Sequence, residues 1–456
     1  MATVPLLSSR LASLVLPSRY GRPFPACART LVFAADRPSP QDADRALELD
    51  PTYVKGFYRK ASAHFALGKY SDAAADFKKV LEIHPKDAAA RRKLAACQKE
   101  ARAAAFLMAI SGPDGPEVES IDNVDIDSMQ VSESYDGPRL ESPDDLTHEF
   151  CLALLDHFRD EKRLPVKYAM RILQMAKDNF SMLGPMMEIP APPPGSHFTV
   201  CGDVHGQFYD LLNIFEINGV PSPTNPYLFN GDFVDRGSFS VEIILTFFAF
   251  RALHPKAFFM TRGNHETINM NKMYGFDGEV KAKLNDKMNV YFTQVFNLLP
   301  LCAVIGSKVF VVHGGLFNDD GVTLDDIRKI DRNRQPPDSG LMTDMLWSDP
   351  WSSQGRGPSK RGCGCTFGPD VTADFLDRNG LTMLVRSHEV KAAGYEVEAD
   401  GRLVTVFSAP NYCDITGNQG AFIHFDDQMQ PTYTSFDAVP HPDVKALAYA
   451  SPMFAF

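Results

Sequence analysis

Six short apolar runs, at residues 198–201, 227–230, 257–260, 309–312, 382–385 and 403–407, punctuate the second half of the chain. Each is too short for a helix and apolar at successive positions, the pattern of a buried strand. Most end in a polar cluster. Helical stretches lie between several of them, and helical spacing also marks Phe150, Leu154, Leu155 and Phe158, then Tyr168 to Met182. The pattern predicts an α/β unit over 148–456, with functional groups gathered at strand ends and in the loops that follow.

Residues 41–110 have a different rhythm. Ala46-Leu47-Glu48-Leu49-Asp50-Pro51 recurs as Val80-Leu81-Glu82-Ile83-His84-Pro85, an offset of 34 residues. That is the period of tetratricopeptide repeats, helix pairs that stack because neither helix can bury its face alone. Ala61, Gly68, Tyr70, Ala73 and Phe77 occupy the small and aromatic positions of one such repeat. Upstream only the last helix of an earlier repeat is visible, and Asp87 to Ile110 reads as a capping helix, so a partial module is expected. Residues 111–147 hold eleven acids with only Arg139 opposing them, which predicts a solvated linker, although Ile121, Val124, Ile126 and Met129 leave room for a docked strap. Residues 1–40 are expected to be disordered or transit-like. The first 35 lack Asp and Glu yet carry Arg10, Arg19, Arg22 and Arg29.

Composition narrows the partners. At 456 residues the chain is long enough for two or three folding units. Its net charge of -11 argues against nucleic acid or anionic membrane as the main partner. No apolar run approaches the ~20 residues that span a bilayer. Eight scattered cysteines do not form a dense disulfide framework, so a reducing compartment is expected.

The chemistry sits in five clusters, each just after a predicted strand or close to one: Gly202-Asp203-Val204-His205-Gly206, Gly231-Asp232-Phe233-Val234-Asp235-Arg236-Gly237, Arg262-Gly263-Asn264-His265-Glu266, His313-Gly314-Gly315 and Arg386-Ser387-His388-Glu389. One alone would be an ordinary loop. Five together point to a designed site. Imidazole with carboxylate and amide oxygen, without thiolate, suits Mn, Fe, Zn or Mg. More than five candidate ligands point to two cations, roughly 3.5–4 Å apart and sharing a carboxylate, which bring the pKa of a water between them towards ~7. Direct attack of that hydroxide on a phosphorus centre follows. His265 is positioned to give a proton to the leaving group, Asp235 to orient it, and Arg236 to grip phosphate oxygens.

These motifs resemble the signature of metallophosphoesterases. Leu346-Trp347-Ser348-Asp349-Pro350, Arg361-Gly362, Phe367-Gly368 and Ser408-Ala409-Pro410-Asn411-Tyr412-Cys413 narrow the resemblance to serine/threonine protein phosphatases of the phosphoprotein phosphatase family. The resemblance implies a β-sandwich flanked by helices, preceded by a small all-α repeat module, acting on phosphoserine and phosphothreonine. It implies two divalent metal ions, one held by Asp203, His205 and Asp232, the other by Asp232, Asn264, His313 and His388. It makes His265 and Asp235 catalytic, gives the phosphate to Arg236, Asn264, Arg361 and Tyr412, and leaves Arg386 a supporting role. Two other classes share some of these features, an esterase of nucleotides or phosphodiesters and a repeat-based scaffold.

Family members with such repeats grip the acidic end of heat-shock protein 90. Lys55 and Arg59, one helical turn apart, match part of that clamp. Partners from the earlier repeats are missing, so weaker chaperone binding and weak autoinhibition are expected. Phosphoproteins are the expected substrates, and the protein is expected to be a monomer in cytoplasm and nucleus, or in a plastid or mitochondrion if residues 1–35 are a transit peptide. Residues 439–456 could form a regulatory helix or a packed tail.

Overall fold

The computed structural model describes residues 47–66, 68–110 and 120–450; the expectations for residues 1–40, for the start of the linker and for Met453 and Phe454 lie outside them. The repeat module holds α1 (Val54–Ala66), α2 (Tyr70–Ile83) and α3 (Ala88–Ile110). Ala61, Ala73 and Phe77 close their shared core, where small residues let the helices approach and aromatic rings fill the gap.

Residues 120–147 are not a solvated linker. Ile121, Ile126, Leu140 and Leu146 are buried in the main core, and three of the acids meet a basic helix: Arg171 reaches Asp127 at 2.6 Å, Lys167 reaches Glu141 at 2.9 Å, and Lys177 pairs with Asp122. The acid count misled because the cations that oppose it come from elsewhere in the chain.

The larger domain opens with α4 (His148–Arg159), capped by Thr147, whose hydroxyl accepts from Phe150 N at 3.1 Å. Then come α5 (Val166–Ser181), β1 (Met186–Ile189), β2 (Phe198–Cys201), α6 (Phe208–Asn218), β3 (Tyr227–Asn230), α7 (Ser240–Leu253), β4 (Phe258–Thr261), α8 (Ile268–Tyr274), α9 (Phe276–Lys283) and α10 (Met288–Leu298). After β5 (Cys302–Ile305) and β6 (Val309–Val312) follow α11 (Leu324–Arg328), α12 (Leu341–Trp347), β7 (Asp349–Pro350), β8 (Arg356–Pro358), β9 (Cys365–Phe367) and α13 (Pro369–Arg378). The chain ends its regular structure in β10 (Met383–Arg386), β11 (Tyr395–Glu398), β12 (Leu403–Val406), β13 (Gly420–Phe425) and β14 (Pro431–Phe436).

Two sheets stack face to face, one ordered β1-β5-β6-β10-β12-β11 and the other β14-β13-β2-β3-β4, with a small third sheet β7-β9-β8 beside them. Strand alternation explains the unbroken apolar runs. Val309 and Val311 of β6 point between the sheets with Phe198, Val200 and Leu228, whereas Phe310 and Val312 point outward to the α12 and α13 side. The second sheet is covered by α4 to α7, α9 and α10, and α7 is apolar on almost every face because helices and sheet surround it. All six predicted strands are present, 257–260 and 382–385 each one residue later than read. Beyond position 437 the described chain forms turns and no helix; it lies along the loop after β3, with Leu447 N donating to Arg236 O at 2.7 Å.

Candidate active site

The predicted ligand residues leave the carboxyl ends of strands from both sheets: Asp203 follows β2, Asp232 follows β3 and Asn264 follows β4, while His313 follows β6 and His388 follows β10. The loops are tied together before any ligand is considered. Val204 N and His205 N both donate to Asp232 O, at 3.2 and 3.0 Å. Gly231 adopts φ +82°, and a Cβ there would meet Gly263 Cα at 2.6 Å and His313 Nδ1 at 2.7 Å, so only glycine fits. His205, Asp232, Asp235, Arg236 and His388 themselves have positive φ, between 42° and 72°. Such backbone costs of order 1–3 kcal/mol per residue and gathers where surrounding structure forces it, typically at working sites.

Around Asp232 Oδ2 stand His313 Nε2 at 3.3 Å and His205 Nε2 at 3.4 Å. His205 Nε2 lies 3.5 Å from Asp203 Oδ2, and His313 Nε2 lies 3.0 Å from Asn264 Oδ1 and 3.1 Å from His388 Nδ1. Donor atoms that share one cation through bonds of about 2.1 Å sit about 3 to 3.5 Å apart, so this cradle fits metal ions. Asp232 belongs to both halves, one with His205, into which a ring nitrogen of His265 also falls, and one with His313 and His388. Burial works to raise the Asp232 carboxyl, but His313, His265 and His205 outweigh it and hold it far below the usual range.

His265 Nδ1 meets Asp235 Oδ2 at 2.8 Å, and both groups are buried. Phe276 N donates to Asp235 Oδ1 at 2.9 Å and Asn271 Nδ2 to Oδ2 at 3.1 Å, which fixes the carboxyl from two further sides. Burial pushes Asp235 up and these donors oppose it. Arg236 lies flat on the Tyr274 ring, its guanidinium carbon 3.7 Å from the centroid. Arg361 is held by Asp349 through Nε at 2.5 Å and Nη2 at 2.9 Å. Tyr412 is buried, its ring centroid 5.0 Å from that of His205. Lys55 and Arg59 stand on α1, the first exposed and the second half-buried, and take no part in this cluster.

Four residues with no predicted role complete the site. Glu266 accepts from Asp232 N at 2.9 Å, Phe233 N at 2.8 Å and Gly263 N at 2.8 Å, thereby knitting two ligand loops; burial and neighbouring Asp232 push it up to about 7. Asp349 is shared by Arg361 and Arg386, whose Nη2 lies 2.9 Å away, and the two guanidinium groups overcome burial to hold it at about 2. Both acids stood inside quoted motifs, which was their one signal. Asn271 and Tyr274 had none, because they belong to a helix with no motif of its own. Arg386 is wholly buried and donates to Gly314 O, Glu389 and Asp349, a supporting position.

A calcineurin-like phosphoesterase profile matches residues 196–392, a tetratricopeptide repeat profile matches 54–87, and a PPP5 TPR repeat region profile matches 94–188. Human serine/threonine-protein phosphatase 5 is 53% identical over 413 residues, which is 90% of this chain and 82% of that protein. The chain belongs to the serine/threonine-protein phosphatase 5 family. Serine/threonine-protein phosphatase T of Aspergillus oryzae is 51% identical over 411 residues, covering 90% of this chain and 85% of that one. A solved Saccharomyces cerevisiae serine/threonine phosphatase, described as similar to human phosphatase PP5, superposes with a TM-score of 0.64 at 44% identity, over 66% of this chain and all of that one. The chain is therefore a metal-dependent serine/threonine-protein phosphatase, with repeats that suit protein partners and a family-wide dinuclear metal centre. No helix among the described residues is long and apolar enough to cross a membrane.

Proposed function

We propose that Asp203, His205 and Asp232 hold one divalent cation and Asp232, Asn264, His313 and His388 a second, with Mn, Fe, Zn or Mg as the candidates. The observation that carries this reading is the convergence of their donor atoms at 3.0 to 3.5 Å around Asp232. When bound, such a pair supplies an acidified water and neutralises charge on the phosphoryl group. The chain's own residues do the rest. Arg236, Arg361, Asn264 and Tyr412 bind and orient the phosphate of a phosphoserine or phosphothreonine. As the bond from phosphorus to the Ser or Thr oxygen breaks, His265 gives that oxygen a proton, and Asp235 holds the imidazole in place and stabilises its charged form. Protein stripped with a chelator should lose phosphopeptide turnover and regain it on addition of Mn²⁺. His265→Ala should lower kcat about 10²- to 10⁴-fold with metal content by elemental analysis unchanged. Full activity in either the stripped protein or the variant sinks the reading.

The repeat module is proposed to bind the acidic end of heat-shock protein 90 weakly, through Lys55 and Arg59, supported by their one-turn spacing on α1. Titration with an acidic peptide should give an affinity that falls with added salt and on Arg59→Ala. The chain is proposed to act as a monomer in cytoplasm and nucleus. Its acid-free, arginine-bearing first 35 residues favour a plastid or mitochondrion as the second reading, which imaging of a C-terminally tagged chain would decide.

A further inference from the structure

Strand ends from both sheets meet on one buried amide. Asn230 closes β3, two residues ahead of Asp232, and its side chain is wholly buried. Its Nδ2 donates to Val312 O and to Ser387 Oγ, each at 2.9 Å, and its Oδ1 accepts from Thr261 Oγ1 at 2.7 Å. A carbonyl such as Val312 O can only accept, which fixes the orientation of the amide. Val312 ends β6 just before His313, Ser387 follows β10 just before His388, and Thr261 ends β4 three residues before Asn264. The backbone adds to this: Asn230 O accepts from His313 Nδ1 at 2.8 Å, and Ser387 N donates to His313 O at 3.0 Å. With its proton held at Nδ1, His313 keeps the Nε2 lone pair on the side of Asp232, Asn264 and His388.

Packing does not ask for these polar groups. The layer between the sheets is lined by Val200, Leu228, Val309, Val311, Val385 and Val404, and Thr261 and Ser387 are as fully buried as Asn230. An amide and two hydroxyls taken out of water there lose solvation that their hydrogen bonds roughly offset, so apolar side chains of the same shape would join the sheets equally well. Apolar contacts cannot set direction, however, and hydrogen bonds of this length can. The bonds also favour one half of the cradle. All three side-chain bonds of Asn230 reach the strand ends that carry His313, His388 and Asn264, and none reaches the loop of Asp203 and His205. The two halves touch elsewhere, where His388 N donates to Asp203 Oδ1 at 3.0 Å.

We infer that Asn230, assisted by Thr261 and Ser387, is a positioning residue for the second cation: it aims the His313 and His388 imidazoles and the Asn264 amide at one point from three strand ends. This rests on the reading of those residues as metal ligands. Removing the amide therefore separates the two sites, weakening the one built on His313 and His388 and sparing the one built on Asp203 and His205.

The test uses the full chain, stripped with a chelator and titrated with Mn²⁺, with occupancy read by calorimetry and by the spin-coupled electron paramagnetic resonance signal of paired Mn²⁺ ions. Asn230→Leu keeps the shape and removes the donors, and Ser387→Ala removes one hydroxyl. In Asn230→Leu one Mn²⁺ dissociation constant should rise about 10- to 100-fold and the other less than about threefold, with the coupled signal replaced by that of a single ion at intermediate metal concentration. Ser387→Ala should act the same way, by about threefold to tenfold. Leu140→Ala, which opens a cavity in the buried strap, should lower stability and leave both constants unchanged, so that loss of position and loss of stability are told apart. Equal weakening of both ions, or unchanged constants in both network variants, overturns the inference. Ser387→Ala decides the matter if Asn230→Leu does not fold. His388→Ala separates the two ideas: if it binds two Mn²⁺ ions as tightly as the parent chain, the ligand reading itself fails, whereas loss of one ion there with silent Asn230→Leu and Ser387→Ala rejects the positioning role alone.

Discussion

Asp235 sits at the meeting point of three donors, and its partner His265 can be aimed only while all three are satisfied. Asp235→Asn keeps the shape but cannot stabilise a charged imidazole, so kcat should fall about 100-fold or more while metal content stays constant. Asp349 is the corresponding anchor on the other side. With Asp349→Asn, Arg361 and Arg386 lose their shared counter-charge, and KM for phosphopeptide should rise about tenfold, read from initial rates. Asp210 offers a pH signature. It accepts from Val439 N at 3.0 Å and from Gln207 at 2.8 Å, and burial raises it from 3.8 to about 6. Between those values the folded protein keeps a proton that the unfolded chain has released, so stability present below pH ~4 is lost as the pH rises towards ~6, by at most about 3 kcal/mol. Asp210→Asn should flatten that slope in denaturant titrations across the window; an unchanged slope would assign it to other groups.

Among the elements, the strands were the most legible. Residues 198–201, 227–230 and 309–312 are buried at every position because both of their faces are covered, and each announces itself in a few mostly apolar letters. Strand β14 was silent, since it lies at a sheet edge with most of its side chains half-exposed or exposed, and β1 and β5 merge into neighbouring apolar sequence. The ligand-bearing loops were legible because metal chemistry restricts residue type. Asn271 and Tyr274 were not, because their importance comes from contacts made across the fold. The strap at 120–147 falls between these cases: its apolar spacing was visible, but the Lys and Arg partners that dock it lie on α5, some 26 to 55 residues on. Leu140 is fully buried there, and Leu140→Ala should cost about 2–5 kcal/mol in chemical denaturation, with no change in KM. A cost below 1 kcal/mol would mean that the strap is loosely held.

At the level of the whole molecule, the metal cradle straddles the sandwich. Asp203, Asp232 and Asn264 come from one sheet, His313 and His388 from the other, and among the described residues Asp203 also forms a β-bridge with Phe407 across the divide. Cations bound at the proposed site, which exists only when both sheets are in register, would also be fasteners between them. Their occupancy would therefore set mechanical integrity as well as turnover. At free metal a thousand times the dissociation constant, each site would stabilise the native state by about 4 kcal/mol. The melting temperature should keep climbing with the logarithm of metal concentration even after the sites are filled, and a protein depleted of metal in a cell would become easier to unfold and degrade before its loss of activity was ever measured.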